Sequence, residues 1–311
     1  MSTVIPPATR GRRERGVTSA RNASLAWLVL PALAFFVAFA LVPLLAVVVL
    51  SFCRWNGISD ISSISWVGLD SWHSVLTDPA LPHAIGVTLL IMALSWAFQT
   101  PASILVGVFI AGRQRYRALL SVIYFIPLLL SSAAVAITYK ALLDPNFGIG
   151  PGLHSDLLTQ NWLGEDNLAV GVLVFVVSWQ FVPFHSLIYQ GAIRQIPASM
   201  YEAAEIDGAG RLRTFFSITL PQLKYTVITS STLMVVGSLT FFDIIWVLTE
   251  GGPADATRSL ALDMYIRGFR ANLMGPASAI AVLLVLVGLG LALLLRRLGG
   301  TDATASQMEG V

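Results

Sequence analysis

The chain has 311 residues, of which 56% are hydrophobic and only 12% charged, with a mean hydropathy of +0.76 and a formal net charge of +2. Globular domains carry about 25% charged residues, so half that load excludes an ordinary soluble domain and points to a membrane protein. The small net charge gives no footprint for nucleic acid, and the single Cys53 excludes both an intramolecular disulfide and a cysteine metal cluster.

In chain order, residues 1–24 form a polar tail with Arg10, Arg12, Arg13, Arg15 and Arg21. The apolar run over 25–52 is too long for the core of a signal peptide, so it is expected to be a retained first span, its ends placed or kinked by Pro31 and Pro43. Residues 54–82 are polar, with Trp55, Trp66 and Trp72 suited to a water–lipid boundary. A second span is expected at 84–111 and is followed by Arg113, Arg115 and Arg117. A third is expected at 118–139, then a glycine-rich linker at 140–167. A fourth at 168–193 is expected to be interrupted at 179–184, around Pro183. A fifth is placed at 225–248 and a sixth at 276–295, closed by Arg296 and Arg297. Six spans divide the chain into a tail (1–24), an all-α membrane domain (25–295) and a second tail (296–311).

Six spans put both termini on one side. Of the nineteen basic residues, fourteen fall in the two tails, the loop after the second span and the segment after the fourth. Only Arg54, Lys140, Arg258, Arg267 and Arg270 fall opposite. The positive-inside bias therefore predicts cytoplasmic termini in a multi-pass cell-membrane protein.

The segment 194–223 is charged within an apolar chain. Pro197 suits the first turn of a helix, 198–206 favour helix, and Asp207-Gly208 stops it through a left-handed turn. A second amphipathic piece is expected to turn Leu212, Phe215, Phe216 and Ile218 to one face and Arg211 and Arg213 to water, closing at Leu220-Pro221. Glu202-Ala203-Ala204, with Gly208 six residues after the glutamate and then Leu220-Pro221, resembles the EAA signature of ABC-importer permeases.

Polar groups at membrane depth mark pathways. Gln180 and His185 beside Pro183 are expected to face the bundle interior, with Ser131, Ser132, Ser238 and Thr240 in the same wall. Asp243, near the outer end of the fifth span, is expected to cap a helix or pair with a basic loop residue such as Arg258. His185-Ser186 is no catalytic pair, because sequence neighbours do not face each other on a helix and no orienting third group is visible. An intramembrane hydrolase is left without its machinery, and no enzyme activity is expected. A channel or secondary transporter would need no ATPase. G-x-x-x-x-G-K-[ST] is absent from the sequence, so ATP and Mg would have to be bound by other subunits.

A further likeness narrows the family. Phe242-Asp243-Ile244-Ile245-Trp246-Val247-Leu248-Thr249-Glu250-Gly251-Gly252-Pro253 resembles a stretch of carbohydrate importer permeases of the maltose-F-like or glycerol-phosphate-A-like type. Val67-Gly68-Leu69-Asp70-Ser71-Trp72, Asp78-Pro79, and Trp179 with Pro183-Phe184 are similar to that type as well; Tyr225, where proline is frequent, departs from it. The resemblance implies a type I importer permease fold that forms half of a pore. It implies pairing with a second related permease, two ATP-binding subunits and an external solute-binding protein, with lipid around the whole. Glu202, Ala203, Ala204, Asp207 and Gly208 would then couple to the ATPase, and Ser132, Gln180, Phe181, Met234 and Ser238 would contact sugar. A di- or oligosaccharide fits best. Glycerol-3-phosphate would call for a basic residue inside a span, and no Arg or Lys is placed there.

Overall fold

The computed structural model describes residues 29–112 and 115–299. The basic amino-terminal tail, Arg113 and the last twelve residues, on which part of the charge reading rests, lie outside the described residues. Two units are distinguished, residues 1–49 and 50–311. The first contains α1, which runs over Val29–Leu50 and passes through both Pro31 and Pro43 without breaking. A wide π turn at Val37–Leu41, closed by the Val42 N–H on the Val37 carbonyl, immediately precedes Pro43 and relieves the crowding its ring would cause in a regular turn.

The second unit opens with a two-residue antiparallel pairing of β1 (Cys53–Arg54) and β2 (Ser65–Trp66), with Phe52 stacked on Trp66 at 5.6 Å. Helices α2 (Asp70–Leu76) and α3 (Ala80–Ala111) follow, then α4 (Arg115–Leu129), α5 (Ser132–Leu142), a short α6 (Ile149–Leu153) within the glycine-rich linker, and α7 (Asp166–Gln195). The remainder comprises α8 (Ala198–Ile206), α9 (Arg211–Thr214, continued by a π turn at Phe215–Thr219), α10 (Lys224–Ser238), α11 (Asp243–Leu248), α12 (Leu260–Tyr265, continued by a π turn at Ile266–Arg270) and α13 (Met274–Gly299).

Among the described residues, four helices are long and apolar enough to cross a membrane: α1, α3, α7 and α13. They become five if the bent pair α4–α5 counts as one span. The third and fifth expected spans are therefore corrected. The third bends by 95° between Leu129 and Ser132, because Pro127 weakens the end of α4 and the Ser131 hydroxyl accepts from Ala134 N–H at 3.2 Å to start a new helix. The fifth stops at Ser238, whose hydroxyl turns back to the Met234 carbonyl at 2.6 Å, and restarts at Asp243, whose charge suits a helix N-terminus. At 15 residues α10 spans about 23 Å, short of the ~30 Å core.

The fourth span is corrected in the opposite sense: α7 runs unbroken through Pro183. The turn beside the proline is braced instead of broken: the Val182 carbonyl accepts from the Ser186 hydroxyl at 2.7 Å and, across the helix pair, from the Ser103 hydroxyl of α3 at 3.4 Å. Helices α3 and α7 form the most extensive helix pair. Ser95, Gln99, Ser103 and Gly107 recur every four residues along the buried face of α3 and let the backbones approach. A Cβ on Gly107 would sit 2.8 Å from Tyr189 Cβ, so only glycine fits there. The main core gathers Val87 and Ile91, Val135 and Ala136, Val172 to Val177, Ile244, Ile245 and Leu248, and Leu262 from five helices.

Candidate functional site

The two helix breaks converge on one turn of α7. Gln180 is buried, 3% exposed, and its Nε2 donates to the Leu130 carbonyl at 3.1 Å, in the break between α4 and α5. The Oε1 of the same amide is buried with no partner among the described residues. Phe181, the next residue, stacks on Phe241 at 5.8 Å, in the break between α10 and α11. A span that stops and restarts leaves carbonyl and amide groups exposed to whatever fills the space between its halves. Here one side chain satisfies the first break, its neighbour covers the second, and an unused acceptor lies between them. A free amide oxygen suits a hydroxyl donor, and aromatic rings suit the C–H face of a sugar.

The other residues expected at the substrate are dispersed. Ser132 opens α5, half-buried beside Ser131. Met234 and Ser238 lie one turn apart on α10 and both are buried, with the Thr100 hydroxyl of α3 against the Met234 sulfur at 3.5 Å. His185, one turn beyond Phe181 on α7, has its Nδ1 3.0 Å from the Ser230 hydroxyl, a buried pairing between helices rather than with Ser186. The breaks escape the sequence reading because Ser131 is placed in the pathway wall and Asp243, expected to cap a helix or pair with a basic loop residue, is placed near the end of a continuous fifth span. Both are strong helix starters, and that signal was available.

The segment after α7 builds a second feature. Helix α8 begins after Pro197 and ends at Gly208, where φ is +70°. The Ala209 N–H reaches the Ala204 carbonyl at 2.8 Å and the Gly208 N–H reaches Glu205 at 3.0 Å, the paired bonds of a Schellman cap. Ala204 faces inward, whereas Glu202, Ala203, Glu205, Asp207 and Gly208 are exposed. The apolar face expected on the following piece divides. Phe215 turns inward, packed with Leu220 and Val227 around Tyr189 and Leu223, but Leu212 and Phe216 are exposed, as is Ile206 at 86%. A hydrogen-bond distance of 3.2 Å between Tyr201 Oη and Thr219 Oγ1 ties the two helices together. The knob is internally fixed, yet three large apolar side chains point outward.

A third feature had no counterpart in the sequence reading. Asp263 on α12 is fully buried. Its Oδ1 accepts from Arg258 Nε at 3.1 Å and Nη2 at 2.6 Å, and its Oδ2 accepts from Arg267 Nε at 2.7 Å. Arg267 also reaches Asp78 at 2.7 Å, and Arg258 reaches Asp255 at 3.4 Å. The clasp joins the turn before α3 to the loop after α11. Arg258 is thereby engaged with Asp263 and Asp255; Asp243, expected as its partner, is exposed at the first turn of α11. The i,i+4 spacing of Asp263 and Arg267 was the available clue. The backbone amide of Ala80 and, across the clasp, the Arg267 guanidinium hold the Asp78 carboxyl below its usual range.

Comparison with known proteins places these features in one family. Residues 103–299 match the model of the binding-protein-dependent transport system inner membrane component. The chain is 30% identical over 270 residues to the probable ABC transporter permease protein YurN of Bacillus subtilis, covering 85% of this chain and 91% of that one. It is 31% identical to the diacetylchitobiose uptake system permease protein NgcF of Streptomyces coelicolor, covering 94% and 88%. With the trehalose/maltose transport system permease protein MalF of Thermococcus litoralis the identity is 30%, covering 90% and 95%. A crystal structure of a bacterial ABC transporter that imports alginate superposes with a TM-score of 0.77 at 23% identity, over 90% of this chain and 96% of that one, so the fold is shared. The chain belongs to the family of binding-protein-dependent transport system inner membrane components, and it is an ABC transporter permease.

Proposed function

We propose that this chain forms half of the translocation pathway of an ATP-driven sugar importer in the bacterial inner membrane. A second, related permease completes the pathway, two cytoplasmic subunits bind ATP and Mg, and an external solute-binding protein delivers the sugar. Both termini and the loop 194–223 then face the cytoplasm, and six crossings are completed by α10 and α11 acting as one broken span. The exposed knob supports this reading most directly. A capped helix carrying Glu202-Ala203-Ala204 and an outward Ile206, Leu212 and Phe216, set between α7 and α10, has the form of a surface made to be covered. Closure of the ATPase pair would push on this knob and, through α7 and α10, reach the two breaks where the substrate sits. Glu202, Ala203, Ala204, Asp207 and Gly208 carry the coupling, and Gln180 with Phe181 leads the substrate contacts, with Ser132, Met234 and Ser238 around them.

A neutral di- or oligosaccharide suits the unpaired Gln180 Oε1 and the stacked Phe181 and Phe241. The named relatives that take up diacetylchitobiose and trehalose or maltose support that class. Glycerol-3-phosphate is disfavoured because among the described residues of α3, α7 and α10 the Arg and Lys side chains lie only at helix ends, at Arg194 and Lys224.

The test uses the single native cysteine. In a Cys53→Ala background, Ala203→Cys should cross-link to the ATP-binding subunit in inverted membrane vesicles. Labelling of Ala203→Cys by a membrane-impermeant thiol reagent from outside intact cells would refute the orientation and the coupling role together.

A further inference from the structure

An apolar cavity of about 420 Å³ opens between α3, α10 and α13, lined by Met92, Ala93, Trp96, Val227, Ser231 and Leu295, among others. Neither Gln180 nor any residue of 194–223 lines it. Along α10 its walls follow Val227, Ile228, Ser231 and Val235, a single helical stripe that begins one turn after Lys224. The antiparallel α13 brings Leu295 and Leu298 to the same end, and these flank Arg296 and Arg297. All three basic side chains are exposed, with Lys224 Nζ 5.9 Å from the Tyr225 ring. The one strong polar group at the deep end is already used, because the Trp96 indole N–H donates to the Ser231 hydroxyl at 2.8 Å and leaves only the ring to face the cavity.

We infer that this groove holds one acyl chain of an anionic phospholipid, whose headgroup is gripped by Lys224, Arg296 and Arg297. Two observations select a lipid over a protein helix. The groove follows α10 from Val227 to Val235, about 12 Å, and Lys224 lies one turn beyond it, so the cation stands about 16 Å from the deep end, half of the ~30 Å hydrocarbon core and the depth of one leaflet. The cations gather at the shallow end alone, where a phosphate would lie, and the rest of the wall is apolar. In the orientation proposed above this is the cytoplasmic leaflet, where anionic lipid and basic residues meet.

The assembled transporter, reconstituted in vesicles of phosphatidylglycerol and phosphatidylcholine, tests this with phosphatidylglycerol carrying a photoactivatable group in its acyl chain. Label should concentrate on Met92–Trp96 and Val227–Val235 over a lipid-facing control at Val285, which lies outside the groove. Ala93→Trp, which fills the groove, should abolish that excess. Lys224→Gln, Arg296→Gln and Arg297→Gln are surface changes that keep the fold, and each should reduce the preference for phosphatidylglycerol over phosphatidylcholine roughly fivefold. Label equal to that at Val285, indifference to the three charge changes, or cross-links from these positions to a neighbouring protein subunit would overturn the assignment.

Discussion

The clasp and the knob handle polarity in opposite ways. In the clasp, a carboxylate with no solvent access is held by two guanidinium groups, one of which reaches on to a further acid on another segment. Nothing is left over for a partner to supply. In the knob, the backbone is completed by its Schellman cap, but Ile206, Leu212 and Phe216 remain uncovered. In the function proposed above, the contrast separates a joint that is finished within this chain from a surface that a partner subunit would finish. Substitutions should therefore unfold the first and uncouple the second.

The largest effect is expected at Asp263. Replacing it with leucine takes away the buried carboxylate that Arg258 and Arg267 share and leaves each only its rim acid, Asp255 or Asp78, which costs about 3–5 kcal/mol. The thermal midpoint of the purified chain should fall steeply, and little protein should reach the membrane. A variant of wild-type stability would show that the clasp contributes nothing and would remove one side of the comparison.

Gln180→Ala comes next and probes the region between the two. It removes the donor to the Leu130 carbonyl, a part-buried bond worth about 1 kcal/mol. The complex should still assemble, while the concentration of sugar needed for half-maximal uptake rises roughly 3- to 10-fold, as expected for one lost hydrogen bond. Loss of the complex with unaltered affinity in the surviving fraction would reduce Gln180 to a structural residue.

Gly208→Val should leave folding nearly intact and transport absent. A β-branched residue at φ +70° costs about 1–2 kcal/mol, which the last turn of α8 can avoid by unwinding. No atom outside the neighbouring residues lies within 4 Å of the added Cβ, so the penalty is conformational and not a clash. Gly208→Asn, which tolerates the left-handed region, should restore uptake substantially. Equal defects in both variants, measured as substrate-stimulated ATP hydrolysis in proteoliposomes, would argue against a conformational cause.

These features were unequally legible in the sequence. Helix, stop and second helix over 194–223 could be read because a proline, a glycine and their spacing act locally on the backbone. The uncovered Leu212 and Phe216 could not, since periodicity shows that residues share a face and not whether anything covers it. Pro183 carries too much weight in the sequence, because the packing that holds α7 straight beside it, including the Ser103 hydroxyl on the Val182 carbonyl, comes from a helix 79 residues away. Ser238 and Asp243 were placed inside a span on hydropathy, although one turns its own helix off and the other starts the next. Asp243 was given to Arg258 as a plausible opposite charge, whereas the buried Asp263, five residues along, holds that guanidinium from both sides of its fork.

The smallest effect sharpens the comparison from the clasp side. Asp78 lies at its rim, partly exposed, with its carboxyl held below the usual carboxylate range by the Ala80 amide and by Arg267. A group whose folded pKa is depressed adds stability above its unfolded pKa and loses it as the pH falls through the folded one. Its contribution is therefore complete at neutral pH and fades only below about pH 4. Asp78→Asn should lower the thermal midpoint slightly at pH 7 and should flatten the acid limb of the stability curve by the proton that Asp78 no longer takes up. An acid limb unchanged in Asp78→Asn would mean that the Arg267 contact is made by position alone and that Asp263 by itself holds the clasp closed.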